Sequence, residues 1–290
     1  MDSVKMLLVH GQYRIIGTEP DGDTIRFIPT NPLVFKDFQG PPIEVDKKGE
    51  IKVRLQGVDA LETHYDSTGP RVRQPAEFGD KAAQELLTFL GFGNVRRSGQ
   101  RVVSAEPAQT PGWILTTGGD PFQRCVAFVG TGIPPEGDDG ALVDVDVDRL
   151  RTTANHFLLR TGLVYPGFYK GLFEKFQWEL SAVTRQARES NLGLWPLDAT
   201  TAPGGAVVTG MASLTEVVIL PKLFRRLVDH FNLVEQSLTT FPAYLAGKAD
   251  AVKILSPDSK QLSLLPVVQI IDGLAVRMTV QPEDTIFLEN

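Results

Sequence analysis

The chain has few of the soft side chains that bind transition metals: its 290 residues include one cysteine and four histidines. A single cysteine excludes an intrachain disulfide framework. Because Cys125 stands in the apolar run 125–129, we expect a buried thiol rather than a reactive one. One thiol and four scattered imidazoles do not favour a zinc site, which leaves the hard cations that prefer oxygen ligands as the metals to consider.

Long hydrophobic runs are absent as well, and the mean hydropathy is -0.06. No apolar segment approaches the roughly 20 residues that span a bilayer, so we expect a folded, soluble chain without a membrane partner. The N-terminus offers a four-residue apolar stretch, 6–9, which is too short for the core of a secretory signal. The expectation is therefore a cytoplasmic location, with secretion as the alternative.

Positive charge is in short supply, since 29 lysines and arginines stand against 35 aspartates and glutamates and the net charge is -6. Nucleic acids are bound largely through basic side chains that displace counterions. This balance argues against tight, architectural binding of nucleic acid. It permits transient, salt-sensitive binding of a substrate where a bound cation offsets some of the acidic groups.

Two short segments combine carboxylates with an arginine. The first is Asp-Gly-Asp-Thr at 21–24, and the second runs from Arg54 to Glu62 and contains Asp59. Carboxylates collect a divalent cation, and guanidinium groups clamp a phosphate and the charge that develops on it in a transition state. A further arginine, Arg124, directly precedes an apolar run. Together these residue types predict phosphodiester cleavage at a hard metal ion.

Each of these residues also has a structural interpretation. The Asp-Gly-Asp pattern by itself is typical of a turn. Arg124 alone is equally typical of an exposed arginine at a strand end. Arg54 and Asp59 are an odd number of residues apart, so they share a face only where the strand ends or bulges near Gly57. We therefore expect the site where that strand breaks up.

The periodicity of apolar residues predicts strands, one helix, further strands and then two helices. Strands alternate apolar and polar side chains, whereas helices carry apolar residues three and four positions apart. The predicted strands are 13–18, 24–28, 51–58, 101–105, 113–117 and 123–129, and the predicted helices are 74–90, 148–161 and 172–190. A Pro-rich excursion, 29–49, separates the second strand from the third.

Three alternating aspartates, Asp144, Asp146 and Asp148, suggest a calcium loop at first sight. An EF-hand loop would need a glycine at position 149 and a glutamate at position 155, where this chain has arginine and asparagine. The aspartates therefore predict a strand with one solvated face that ends in a helix cap.

A composition change at 195–205, where Pro, Thr, Ala and Gly cluster, predicts a linker. We place one domain at 1–198, the linker at 199–212, and a smaller C-terminal α+β domain of unknown function at 213–290. Within that domain, 214–220 is a β-prone run, Pro221 opens an amphipathic helix, and strands are predicted at 251–255, 265–271 and 274–280. Asp272-Gly273 predicts the turn of a hairpin.

In their order along the chain, the motifs resemble those of the thermonuclease, or staphylococcal nuclease-like, family over approximately residues 10–197. The resemblance rests on Asp-Gly-Asp-Thr at 21–24, Arg-Leu-x-Gly-Val-Asp-x-x-Glu at 54–62, a Gly-x-x-Ala helix at 79–82, an arginine followed by a strand at 124–129, Leu-Leu-Arg-Thr-Gly-Leu at 158–163, and Gln-Ala-Arg-(x)4-Gly-Leu-Trp at 186–195. It implies an α+β, mainly β fold, a five-stranded OB-type barrel with three flanking helices.

The function that the resemblance implies is a Ca²⁺-dependent nuclease, which acts on DNA and RNA with little sequence preference and leaves 3′-phosphate ends. Asp23 and Asp59 match the carboxylates that bind Ca²⁺, together with the backbone carbonyl of Ala60. Glu62 matches the glutamate that orients or deprotonates the attacking water.

The resemblance also assigns residues that contact the phosphate and the nucleotide base. Arg54 and Arg124 match the two arginines that hold the phosphate and stabilise the transition state. Phe168 or Tyr169 matches the aromatic residues that stack on the nucleotide base or flank it, which would favour little base specificity. The alternative for both aromatics is an ordinary role in covering the core.

The chain departs from the family pattern at Leu61, where the family usually has a proline. Without the stiffness of that proline, Glu62 is expected to be held less rigidly. The stretches 29–49 and 104–120 are also longer than a minimal family member needs. A catalytically weak or inactive module that binds nucleic acid or protein is therefore the alternative function.

Overall fold

The structure is a computed structural model that describes residues 3–36, 41–233, 237–256 and 261–288. It contains 29% helix and 32% strand, which confirms a mixed α+β protein. In the described residues the strands are β1 Val4–Arg14, β2 Thr24–Pro29, β3 Ile51–Leu55, β4 Gly57–Asp59, β5 Gly93–Ser98, β6 Arg101–Glu106, β7 Gln109–Gly119, β8 Cys125–Gly130, β9 Leu142–Val145, β10 Tyr165–Tyr169, β11 Ala206–Val207, β12 Ala251–Ile254, β13 Gln261–Ser263, β14 Val268–Ile271, β15 Ala275–Met278 and β16 Thr285–Phe287.

The α-helices are shorter in total than the strands. In the same residues they are α1 Ala76–Phe89, α2 Val147–Arg151, α3 Ala154–Arg160, α4 Glu174–Glu189, α5 Met211–Leu214, α6 Pro221–Leu233 and α7 Phe241–Ala246. Short 3₁₀ helices lie at Pro32–Phe35, Trp195–Leu197, Leu238–Thr240, Leu265–Val267 and Pro282–Asp284. None of the helices described is both long and apolar enough to cross a membrane.

The chain forms two compact units, each built from discontinuous segments. The first unit comprises Met1–Gln56 and Ala82–Leu158, and the second comprises Gly57–Lys81 and Leu159–Glu289. The second unit contains residues from both sides of the predicted linker, 199–212. The division of the chain into separately folding domains at that linker stays a prediction.

Five strands of the first unit close into a ring. The order around it is β1, β2, β3, β8 and β7, and β7 pairs again with β1. Neighbouring strands are antiparallel except β3 and β8, which run parallel. Directly paired residues and every second residue of a strand share a face, so the registers place Tyr13 and Phe27 on one face of the ring and Leu8, Trp113 and Phe128 on the other. All five are buried, so apolar side chains pack on both faces of the ring.

The strands predicted from alternation are confirmed within a few residues for β2, β3, β6, β7 and β8. The predicted strand 13–18 is wrong beyond its first two residues, because β1 ends at Arg14 and a turn follows with Gly17 at a φ of 82°. Sequence analysis missed β5, whose side chains are mostly exposed and therefore show no buried alternation. Within the excursion 29–49, residues 37–40 lie outside the described residues.

The helix predictions are confirmed for α1 and α4, whereas the predicted helix 148–161 is divided into α2 and α3. The hydroxyl of Thr153 donates to the carbonyl of Leu150, in the last turn of α2, at 2.7 Å. The interpretation of the alternating aspartates is confirmed as well. Asp144 lies on the exposed face of β9, and the carboxylate of Asp146 caps α2 by accepting from the N–H of Arg149 at 2.8 Å.

In the described part of the second unit, the strands form two small sheets with the orders β13-β12-β16-β10-β4 and β11-β15-β14. β10 pairs antiparallel with β4 and parallel with β16. The apolar face of α6 repeats at three and four residues and packs into the core of this unit; its buried members are Leu223, Phe224, Leu227, Val228 and Phe231. The opposite, charged face of α6 is thereby turned away from the core.

The C-terminal predictions are confirmed for the helix that begins at Pro221 and for β12, β14 and β15, which lie inside the predicted ranges. Asp272 and Gly273 have φ values of 48° and 70°, as the turn of a tight hairpin requires. The predicted strand 214–220 is wrong, because these residues form the end of α5, a turn and an isolated bridge at Val218. Their apolar run reflects burial rather than strand pairing.

Candidate functional site

Asp21 and Asp23 lie between β1 and β2 in the first unit. The carboxylate of Asp21 accepts hydrogen bonds from the backbone N–H groups of Thr24 at 2.7 Å and of Asp23 at 3.1 Å. Asp21 therefore stabilises the turn, as the Asp-Gly pattern predicts. The side chain of Asp23 is 11% exposed and forms an ion pair with Arg54, with 3.1 Å between Oδ2 and Nη1.

Arg54 stands in the middle of three paired strands. The register of β3 places it opposite Thr24 of β2 and opposite Val126 of β8. The backbone N–H of Leu55 donates to the carbonyl of Asp23 at 2.8 Å, so the backbone also holds these two residues together. Because both side chains are largely buried, salt screens their ion pair less than it would a surface pair.

Arg124 directly precedes β8, two residues before the partner of Arg54 in the register. Two residues are one period of a strand, so this position is on the face of β8 that corresponds to Arg54. Nε of Arg124 donates to Oδ2 of Asp120 at 2.7 Å, and its backbone N–H donates to Oδ1 at 2.9 Å. The guanidinium carbon lies 5.5 Å from the ring centre of Phe122. The turn before β8 therefore orients Arg124.

The strand that carries Arg54 breaks at the predicted glycine. β3 ends at Leu55, and β4 begins at Gly57, whose φ is 79°. Glycine enters this left-handed region without the steric cost that a Cβ imposes. A Cβ on Gly57 would also lie 2.7 Å from Cδ1 of Leu180. Both the backbone and the packing therefore require glycine at this position.

In the second unit, Asp59 is the last residue of β4, and its side chain is 3% exposed. Arg225 of α6 contacts this carboxylate with both terminal nitrogens: Nη2 lies 3.0 Å from Oδ2, and Nη1 lies 3.4 Å from Oδ1. This is the forked geometry in which a guanidinium matches a carboxylate. A carboxylate so far from water needs such a partner, because an isolated buried charge is costly.

Glu62 shares the same guanidinium, since Nη1 of Arg225 also donates to Oε1 of Glu62. The hydroxyl of Tyr169 lies 3.4 Å from Nη2. Burial lowers the pKa of Arg225, but the three oxygen-bearing side chains around it raise the pKa, and the net result is well above the ordinary value. The guanidinium is therefore charged, and Asp59 and Glu62 meet at one cation.

Gln74 fixes the backbone of Glu62. The side-chain Oε1 of Gln74 accepts from the backbone N–H of Glu62 at 3.1 Å, and the backbone N–H of Gln74 donates to the backbone carbonyl of Glu62 at 2.8 Å. Nε2 of Gln74 donates to the carbonyl of Ile219 at 2.8 Å, and the whole side chain is buried. Leu61, which replaces the proline of the resembled family, is buried in the apolar core. These contacts counter the looseness that we expected at Glu62.

The remaining predicted residues lie in and after two paired strands. Ala60 follows β4 and is buried. Phe168 is fully buried in β10 and pairs in register with Ile286, so its ring has no free face for a nucleotide base. Tyr169 is half-buried, and its hydroxyl reaches Arg225. Of the two aromatic candidates, we therefore retain Tyr169.

Over the ranges that the structure describes, no three His, Cys, Asp or Glu side chains are grouped closely enough to hold a metal ion. Asp59 and Glu62 form a pair of hard oxygen donors with a guanidinium as a stand-in cation between them. Ca²⁺ takes carboxylate, carbonyl and water oxygens in flexible geometry, so the chemistry of this pair fits it. The positive charge at the pair is at present supplied by the protein itself.

Sequence analysis missed Arg225, Gln74 and Asp120. Arg225 is 166 residues from Asp59 and lies in a region where we found no motif. Its one signal was the row of basic residues on the polar face of an amphipathic helix, which is more typical of a solvated surface. Asp120 had a clearer signal, since Asp-Pro shortly before Arg124 is a turn pattern.

Two comparisons with known proteins return no relative. No protein-family model matches the chain, and no curated protein matches it. The resemblance to the thermonuclease family therefore stays a prediction that rests on the residue pattern.

Proposed function

We propose that the chain is a Ca²⁺-dependent nuclease that hydrolyses phosphodiester bonds of DNA and RNA with little sequence preference. The observation that carries this proposal is the meeting of Asp59 and Glu62 at one positive charge, the guanidinium of Arg225. A phosphodiesterase needs carboxylates that collect a cation, and a carboxylate beside it that handles the attacking water. This pair has the residue types and the proximity for both tasks.

The ring of the first unit supports a finer fold proposal, an OB-type barrel. It has five strands, it closes through β1 and β7, and its order departs from the chain order at β8 and β7, as in a Greek key. OB folds bind oligonucleotides on the face of their second and third strands. Asp23 and Arg54 form their ion pair where β2 pairs with β3, which supports a nucleic-acid substrate.

The roles of the carboxylates follow from their chemistry. Asp59, with the carbonyl of Ala60, would hold the cation through hard oxygens, and Asp23 is the second carboxylate that the resemblance to the thermonuclease family assigns to Ca²⁺. Ca²⁺, when bound, supplies positive charge that stabilises the phosphoryl oxygens. Glu62 accepts a proton from the attacking water, and the hydrogen bonds of Gln74 to its backbone restrict where its carboxylate can lie.

The arginines act on the phosphate. Arg54 and Arg124 are permanently charged and present parallel N–H donors, so they bind phosphate oxygens best in the transition state, where negative charge accumulates. Asp120 orients Arg124, and Asp23 orients Arg54. Tyr169, which is half-buried, would contact the nucleotide.

The same contact also favours a second candidate function. Arg225 already occupies Asp59 and Glu62, as expected of a module that binds nucleic acid or protein and cleaves slowly or not at all. Such a module would bind oligonucleotides without cutting them, and a chelator would not alter that binding.

Degradation of plasmid DNA and of RNA, with Ca²⁺ and with a chelator, tests the proposal. Wild-type protein should cleave both, and the chelator should stop cleavage. Glu62→Gln should slow turnover by about 10²- to 10⁴-fold, and Arg124→Ala by about 10²- to 10³-fold. The exposed residues Glu216 and Arg96 give matched controls, because Glu216→Gln and Arg96→Ala remove the same charges without touching the proposed site. Unchanged turnover in Glu62→Gln and Arg124→Ala would refute the mechanism.

A further inference from the structure

We propose that Arg225 is an internal counter-cation, and that a divalent cation binds Asp59, beside Glu62, only after the Arg225 guanidinium has left both carboxylates. The inference rests on the proposed function for the role of these two carboxylates. It assigns a regulatory residue to the C-terminal region, in which the sequence showed no motif. Calcium and the side chain of Arg225 are then competitors for one site.

The competition follows from the geometry of the contact. Arg225 uses Nη2 and Nη1 on the two oxygens of Asp59, and Nη1 also binds Glu62. A cation bound to Asp59 beside Glu62 needs the Asp59 oxygens and the space between the two carboxylates, which the guanidinium already occupies. Two positive charges in that space would also repel each other strongly, since little water is present to screen them. Occupancy by one excludes the other.

The helix need not move for Arg225 to leave. Leu223, Phe224 and Leu227 anchor α6 in the apolar core, whereas the Arg225 side chain is 20% exposed. A long arginine side chain can change rotamers while its backbone stays fixed. Four residues further along the helix, Asp229, which accepts hydrogen bonds from the hydroxyls of Tyr65 and Ser67, offers another carboxylate on the same face. The guanidinium can therefore contact another carboxylate after it leaves Asp59 and Glu62.

Calcium titration calorimetry on the full chain tests the competition without any measurement of cleavage. The variant Arg225→Gln should bind Ca²⁺ at least about tenfold more tightly than wild type, which corresponds to about 1.4 kcal/mol. The matched control is Arg185→Gln, which removes one arginine charge from an ion pair with Asp284 in the same unit. That control should leave the Ca²⁺ affinity at the wild-type value. Adding Asp59→Asn to Arg225→Gln should abolish the gain.

Equal Ca²⁺ affinity in wild type and in Arg225→Gln, or no binding by either, would overturn the inference. If Arg225→Gln does not fold, Arg225→Lys decides the question, because lysine keeps the charge but cannot fork across both carboxylates. It should bind Ca²⁺ more tightly than wild type, and an unchanged affinity would again overturn the inference.

Cleavage assays on the same proteins separate this inference from the proposed function. Tighter Ca²⁺ binding in Arg225→Gln without cleavage by any protein would refute the nuclease and leave the competition standing. Ca²⁺-dependent cleavage with identical Ca²⁺ affinity in wild type and variant would refute the competition and leave the nuclease standing.

Discussion

The two units use the same chemical pair, a carboxylate and an arginine, but they bring it together in different ways. In the first unit, Asp23 meets Arg54 because β2 and β3 are neighbouring antiparallel strands. In the second unit, Asp59 meets Arg225 across 166 residues, and the arginine belongs to a helix. The first contact follows from strand pairing, whereas the second follows from the packing of α6.

The two contacts also differ in burial. The side chain of Asp23 is 11% exposed, and that of Asp59 is 3% exposed. The contact between Asp59 and Arg225 should therefore contribute more to stability, because an unpaired charge costs more free energy where less water reaches it.

The largest effect is expected from Arg225→Met. This variant leaves Asp59 buried without its counter-charge, which should lower the free energy of unfolding by about 3–5 kcal/mol. Urea denaturation at neutral pH without Ca²⁺ measures it. Combining it with Asp59→Asn should recover part of the loss, since the buried charge is then gone. A loss below about 1 kcal/mol would mean that the contact is no stronger than a surface pair.

A smaller loss is expected from Arg54→Met. A hydrogen bond to a charged group contributes about 1.5–3 kcal/mol, and Asp23 keeps the hydroxyl of Thr24 at 3.0 Å as a second donor. The same urea experiment compares the two arginines directly. If Arg54→Met proves more destabilising than Arg225→Met, burial does not determine which of the two contacts contributes more to the free energy of unfolding.

A still smaller loss is expected from Gly57→Ala, at the break between the strands that carry Arg54 and Asp59. An alanine at a φ of 79° costs about 1–2 kcal/mol in backbone strain, and its methyl group must displace Leu180. Gly204→Ala is the control, because a Cβ there meets nothing within 4 Å. Equal stability of the two variants in thermal unfolding would argue against strain at Gly57.

The smallest effect concerns Asp198, a carboxylate that accepts hydrogen bonds from the hydroxyls of Tyr165 and Thr200. Burial raises the pKa of Asp198, and these hydrogen bonds lower it only in part. Because the folded pKa is raised, the protonated group stabilises the fold below its ordinary pKa near 3.8, and that contribution is lost as the pH rises through the folded value.

Unfolding free energies of wild type and Asp198→Asn between pH 3 and pH 6 measure this contribution. The stability of wild type relative to the variant should fall as the pH rises, because the amide does not ionise. Parallel pH curves for the two proteins would show that Asp198 is not buried as an ionisable group.

Prediction from the sequence worked where the cause is local. The strands β2, β3 and β8, the helices α1 and α4, the break at Gly57 and the Asp272-Gly273 turn each depend on residues next to one another. It was wrong at 214–220 because buried apolar residues without strand partners look like a strand in one dimension. It missed β5 because a strand whose side chains are mostly exposed has no buried face to reveal it.

The candidate site was predictable to the same extent. Asp23, Arg54, Asp59 and Glu62 were identified from their types and spacing, and strand pairing accounts for the contact of the first two. The partner of the second two could not be found in this way. A basic residue on the polar face of a helix has the same local pattern whether it faces solvent or a buried carboxylate.

Short-range patterns were thus enough for the periodic elements, the turns and the identity of the charged residues, since steric preferences and alternation act over a few positions. The fold alone settled that Arg225 lies on Asp59 and Glu62. Because the apolar face of α6 is buried, its charged face points away from the apolar core. An unpaired buried carboxylate is costly, so the arginine on that face pairs with it. Both are consequences of packing in three dimensions, which residue spacing does not encode.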